Sequence, residues 1–142
     1  MNTREAIRRK LTVDSNSQWF VTIWVELQGK LEEVRFKIDT GCNAVVLSHN
    51  TLKMMGFSVN NADLAKLPQE TGRLASGEKS EFRSLGEISL HSNKNRTDHI
   101  CDVTAICHST RKTNDLLGTA VFKQFFGVDF NLKGEKYMEL HK

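Results

Sequence analysis

Proline is almost missing from this chain: Pro68 is the single one in 142 residues. Beside eight phenylalanines and a hydrophobic content of 39%, that scarcity argues for a packed core and against a disordered chain. No apolar run approaches the roughly 20 residues that a membrane-spanning helix needs. The opening stretch, Met1 to Lys10, has no apolar block of the kind a secretory signal requires, so a cytoplasmic location without membrane contact is expected. Cysteines are few and odd in number, three in all, which favours free thiols over a disulfide framework. Neither sign of charge dominates: 20 Lys and Arg face 17 Asp and Glu, and a net +3 is too small to imply nucleic acid. Repeats, linkers and low-complexity tracts are absent. These exclusions leave one domain over 18–142, preceded over 1–17 by an N-terminal arm or short helix in which Arg8-Arg9-Lys10 reads as a solvated helix face.

What is present is alternation. Trp19, Val21, Ile23, Val25 and Leu27 alternate with Phe20, Thr22, Trp24 and Glu26, the period of a strand. Gln28-Gly29-Lys30 turns the chain, and Val34, Phe36 and Ile38 continue it as a partner strand, so the pair predicts a β-hairpin. Ser48 as N-cap and Gly56 as stop predict a short helix over His49–Met55, with Leu52, Met54 and Met55 as core. Residues 57–69 are weakly patterned. Thr71–Ala75 and Ser80–Leu90 flank Ser76-Gly77-Glu78-Lys79 and predict a second hairpin with a glycine tip. A strand over Ile100–Ile106, a short helix over Val121–Phe126 and a closing hairpin, Gly127–Leu132 with Lys136–Leu140, complete the chain. Trp19 and Trp24 read as core or interface packing. Many short strands with one or two short helices predict an all-β domain, a closed barrel or sandwich.

Within this pattern one acid stands out. Asp39-Thr40-Gly41 ends the apolar run Val34–Ile38 and is followed at once by Ala44-Val45-Val46-Leu47. A surface turn is the plain reading, since Asp and Gly are turn residues. Buried segments on both sides argue otherwise, because burying a carboxylate costs several kcal/mol unless something compensates. Far along the chain comes Leu116-Leu117-Gly118, again an apolar strand running into glycine. Asp14-Ser15-Asn16 lacks the glycine, and Asp129 lies inside a strand pattern.

Together these motifs, over roughly Gln18 to Leu140, resemble the retropepsin-like aspartic proteases, the single-domain, retroviral-type family. The resemblance implies an endopeptidase in which two carboxylates share one proton, one taking a proton from water and the other giving one to the carbonyl. This chain supplies one such acid, Asp39, so the resemblance implies a homodimer with the active site at the interface. It gives Thr40 and Gly41 the task of fixing the turn, and Leu116, Leu117 and Gly118 that of bracing it. It assigns the hairpin tip at Ser76 and Gly77 to a flap, which with Cys42 and Asn43 on the floor would hold an extended peptide or protein substrate. No cofactor and no metal is implied. The N-terminal segment is implied to complete the sheet between subunits or to be cleaved off.

Two departures stand against that pattern. Cys42 follows the motif, placing a thiol beside the turn whose oxidation would inhibit. Asn43 and Thr119 replace an acid and an arginine that many retroviral members pair, which removes a polar tie near the dimer interface. These departures favour, as a rival, a non-catalytic or weakly catalytic dimerisation or peptide-binding module. A metal or redox role for Cys42, Cys101 and Cys107 is weaker. The spacing of Cys101 and Cys107 with His99 and His108 fits no usual zinc pattern, and both cysteines read as core.

Overall fold

In a computed structural model of the chain, the described residues are 5–73, 79–110 and 112–142. In β2 (Trp19–Leu27), Val21, Ile23, Val25 and Leu27 are buried while Thr22, Trp24 and Glu26 between them are partly exposed. That alternation puts one face of the strand on the core, and the tight turn at Gln28 and Gly29 returns the chain as β3 (Lys30–Ile38). β1 (Ala6–Val13) precedes them. After β3 come β4 (Val45–Val46), α1 (His49–Met54), α2 (Asn61–Leu64), β5 (Gln69–Arg73) and β6 (Lys79–His91). Then follow β7 (His99–His108), β8 (Leu116–Leu117), α3 (Thr119–Phe122), β9 (Gly127–Asn131) and β10 (Tyr137–His141).

The sheet order is β5-β6-β7-β4-β8-β3-β2-β1-β10-β9, with β6 also paired to β2. That extra pairing closes β2, β3, β8, β4, β7 and β6 into a six-stranded barrel. Strand β6 reaches two partners because it bends. Its register against β7 shifts between Ser84 and Gly86, and Gly86 takes φ +78, a conformation that suits glycine. Its first half pairs with β5, and its second half crosses to β2. Inside the barrel Ile23, Val25, Phe36, Ile88, Leu90, Ala105 and Leu117 form one core with Met138 and Leu140 of β10. Each of these side chains except Ala105 contributes on the order of 1.5–3 kcal/mol through burial.

Several local expectations differ from the structure. Residues 6–13 form a strand, not a helix, because β10 offers them a complete ladder from Ala6↔His141 to Lys10↔Tyr137. The Arg8-Arg9-Lys10 run is therefore not a solvated helix face. Arg9 points inward and donates to the carbonyls of Ser92 and Thr22. Met54, expected in the core, is 62% exposed, whereas Leu52 and Met55 are buried. A short α2 occupies the weakly patterned region, capped by Asn60, whose side chain accepts from the Asp63 N–H. The last helix begins at Thr119, before the expected Val121. Cys101 and Cys107 are buried in the core, and burial pushes their thiols up to about 12 and about 11.

Candidate active site

The loop that carries Asp39 is held from three sides. Strand β8 lies between β3 and β4, parallel to the first and antiparallel to the second, with Ile38↔Leu117 and Val45↔Leu117 in register. The Asp39 N–H donates to the Leu117 carbonyl at 3.1 Å, extending that ladder by one bond. The Cys42 N–H donates to the Asp39 carbonyl at 3.1 Å and closes the turn. The Gly41 N–H donates to Asp39 Oδ1 at 3.0 Å, which orients the carboxylate. Asp39 is half-buried in the single chain, more open than the flanking apolar runs implied, and Thr40 lies at the exposed crest of the turn.

Gly118 is where the loop meets the second motif. Its backbone is extended, φ −94 and ψ −176, so the requirement for glycine is one of space rather than of conformation. A Cβ there would sit 2.5 Å from the Cys42 carbonyl oxygen and closer still to that of Ala44. The bare backbone lets the Thr119 N–H reach the Cys42 carbonyl at 2.9 Å and the Ala120 N–H reach that of Asn43 at 2.8 Å. Leu117 is fully buried in the main core. Leu116 packs with Cys42 and Ala44 on a second, smaller cluster of Val46, Phe82 and Ile106. Phe82 belongs to the β5–β6 hairpin, so hairpin stem and loop share one packing unit. The expected flap tip, Ser76 and Gly77, lies outside the described residues.

The polar tie between Asn43 and Thr119 has not vanished with its charges. Asn43 Oδ1 accepts from Thr119 Oγ1 at 3.1 Å and from Lys123 Nζ at 3.3 Å. A neutral hydrogen bond with a cationic second donor thus links the loop to α3, correcting the expectation that the tie is lost. Cys42 lies on the same loop. Burial pushes its thiol up, the hydrogen bond to the Ala44 carbonyl acts against that rise, and the nearby Asp39 charge adds to it, so the net effect disfavours the thiolate. The thiol donates to the Ala44 carbonyl at 3.4 Å.

Sequence reasoning missed Asp115. Its Oδ1 accepts from the Ser48 N–H at 2.7 Å and its Oδ2 from Thr51 Oγ1 at 2.8 Å, so it anchors the first turn of α1. Its carbonyl accepts from the Lys37 N–H at 2.9 Å, next to the start of the Asp39 loop. The one available signal was an acid directly preceding Leu116-Leu117-Gly118.

Among the described residues no helix is long and apolar enough to cross a membrane. No family model matches the sequence. No curated protein matches it. The fold, by contrast, has solved counterparts. A retropepsin-like aspartic protease from Rickettsia conorii superimposes with a TM-score of 0.59 over 99% of this chain and 97% of that chain, at 15% identity. At that identity the likeness speaks to architecture, and the architecture is the retropepsin-like one: mostly β, a closed barrel, few short helices.

Proposed function

We propose that the chain is an aspartic endopeptidase whose active site forms when two copies bring their Asp39 side chains together. One observation carries this reading. A lone aspartate sits on a partly open turn that four backbone elements hold rigid: the Leu117 carbonyl, the Gly41 N–H, the Cys42 N–H and the close crossing at Gly118. A turn with no task beyond reversing the chain does not need a second strand threaded behind it.

The chemistry follows from pairing. Two carboxyls a few Å apart cannot both ionise cheaply, so they share a proton and titrate as a unit. The ionised member takes a proton from a water held between them, and that water attacks the peptide carbonyl. The protonated member donates to the carbonyl oxygen as charge develops there; the proton taken from water then passes to the amide nitrogen as the C–N bond breaks, and the gem-diol returns a proton to the pair as it collapses to the carboxylic acid. The Gly41 N–H keeps Oδ1 oriented through these transfers. An extended peptide lies between the β5–β6 hairpin and the loop, bound through main-chain hydrogen bonds.

Replacing Asp39 with Asn removes the ionisable carboxyl while preserving shape and the Gly41 contact. We expect peptide cleavage to fall below detection in D39N with an unchanged unfolding midpoint. Undiminished turnover would refute the assignment. Wild-type kcat/KM should trace a two-limbed pH profile, and a flat profile from acid to neutral pH would speak against the shared-proton pair.

A further inference from the structure

β3 delivers more than Asp39 to the site. Side chains alternate along a strand, and the Asp39 N–H continues the β3–β8 ladder through the Leu117 carbonyl. Phe36 is buried and Ile38 packs against the core, so Arg35, Lys37 and Asp39 leave the strand on its other side. Two residues of strand span about 7 Å, which roots Lys37 beside the acid that carries the chemistry. Lys37 is half-buried there. Among the described residues its side chain makes no ion pair and no hydrogen bond.

The surroundings of Lys37 are cationic and aromatic. Across the ladder it stands opposite Phe20 of β2, which is partly exposed, and Phe20 in turn stands opposite Thr12 of β1. The Arg35 guanidinium lies over the Phe20 ring, 3.7 Å from its centroid. The acids nearby do not neutralise this patch. Asp115, whose carbonyl accepts from the Lys37 N–H, has its carboxylate bound to Ser48 and Thr51. Glu33 is the next acid along that side of β3, four residues away and opposite Trp24. A half-buried ammonium lacking a counter-ion attracts an incoming carboxylate more strongly than a fully exposed one does.

We infer that Lys37, Phe20 and Arg35 form a subsite for an acidic side chain of the substrate, close to the bond that is cut. The Lys37 ammonium takes the carboxylate, Arg35 adds a second cation, and the Phe20 ring packs on the aliphatic stem. The subsite rests on the endopeptidase reading above and names the peptides it favours: those with Asp or Glu within two residues of the scissile bond. In a two-fold dimer each copy supplies one such patch, so the preference holds on both sides of the bond. Lys37 is thus a specificity residue, and the carboxylate pair does the chemistry.

Peptides identical except for Glu, Gln or Lys at each position near the scissile bond test this on the wild-type chain at about pH 6, where Glu is ionised. At one position or more, Glu should exceed Gln by about tenfold in kcat/KM, between the worth of an exposed ion pair and that of a hydrogen bond to a charged group. The ratio should shrink toward one below about pH 4, as the Glu side chain takes a proton. K37M should bring it to one at about pH 6, and K37E should turn the preference to Lys, whatever happens to the absolute rates. Should neither variant fold, the wild-type ratio decides, since it must fall with added salt. Cleavage that ignores Glu against Gln at every position, or a ratio that survives K37M, overturns the subsite and leaves the endopeptidase reading standing. If no peptide is cut, the endopeptidase reading falls. Peptide affinities from fluorescence anisotropy then decide the subsite by the same Glu-to-Gln ratio, present in wild type and lost in K37M if it stands, equal in both if it does not.

Discussion

At Gly118 a single methyl group would strike two carbonyl oxygens, those of Cys42 and Ala44. Neither can retreat, because each belongs to backbone that the Asp39 loop uses. G118A should therefore lose about 1–3 kcal/mol, in the range of an overpacked core, and lose activity beyond what that destabilisation explains. Urea unfolding read beside kcat/KM checks it, and unchanged values in both would remove Gly118 from the account. G41A is a milder case, since its Cβ would stand 3.3 Å from Asp39 Oδ1 and crowd the carboxylate rather than the backbone. Asp39 and Gly118 were both legible in the sequence as motif positions. The reason for Gly118 was not, because it is a contact between segments far apart in the chain, and nothing in the local string reports it.

At the level of elements, Asp115 joins α1 to the β3–β8 pair. Hydrogen bonds to a charged group are worth about 1.5–3 kcal/mol each, so D115A should cost about 2 kcal/mol or more and loosen the first turn of α1. Hydrogen exchange at Thr51 and Leu52 should quicken relative to the β2–β3 hairpin, and uniform exchange across both would argue that α1 is held by packing alone. The hairpins and α1 were readable because their signals are local: alternation in β2, the Ser48 cap, a glycine turn at Gln28–Gly29. β1 was misread because Arg8-Arg9-Lys10 masks its alternation. Ile7 and Leu11 are buried, while Arg9 between them reaches carbonyls of Ser92 and Thr22 rather than solvent. α2 is four residues long, too short for a periodic signal.

Over the whole molecule, barrel closure depends on the β6–β2 pairing, which a local pattern does not encode. The expectation of a closed or sandwich-like β domain came from strand number and spacing, and the barrel realises it. The closed core also makes a prediction about alkaline stability. Cys101 and Cys107 hold their protons to about 12 and about 11, whereas thiols in the unfolded chain ionise near 8.5. The folded state therefore binds more protons than the unfolded state in that window. Stability is intact below about pH 8.5 and falls above it, by up to about 1.4 kcal/mol per pH unit per thiol. The C101A/C107A chain, though less stable at neutral pH, should show a flatter decline between pH 9 and 11. Parallel declines would mean that the thiols titrate alike folded and unfolded.

The central claim is that one catalytic centre needs an Asp39 from each of two copies. It is tested most directly by mixing wild-type and D39N chains at fixed total concentration, allowing subunits to exchange, and following peptidase activity against composition. If both acids serve one water, activity falls as the square of the wild-type fraction, to about a quarter at equal amounts. A straight-line fall to about half would mean that a single copy of Asp39 suffices, and would contradict the account.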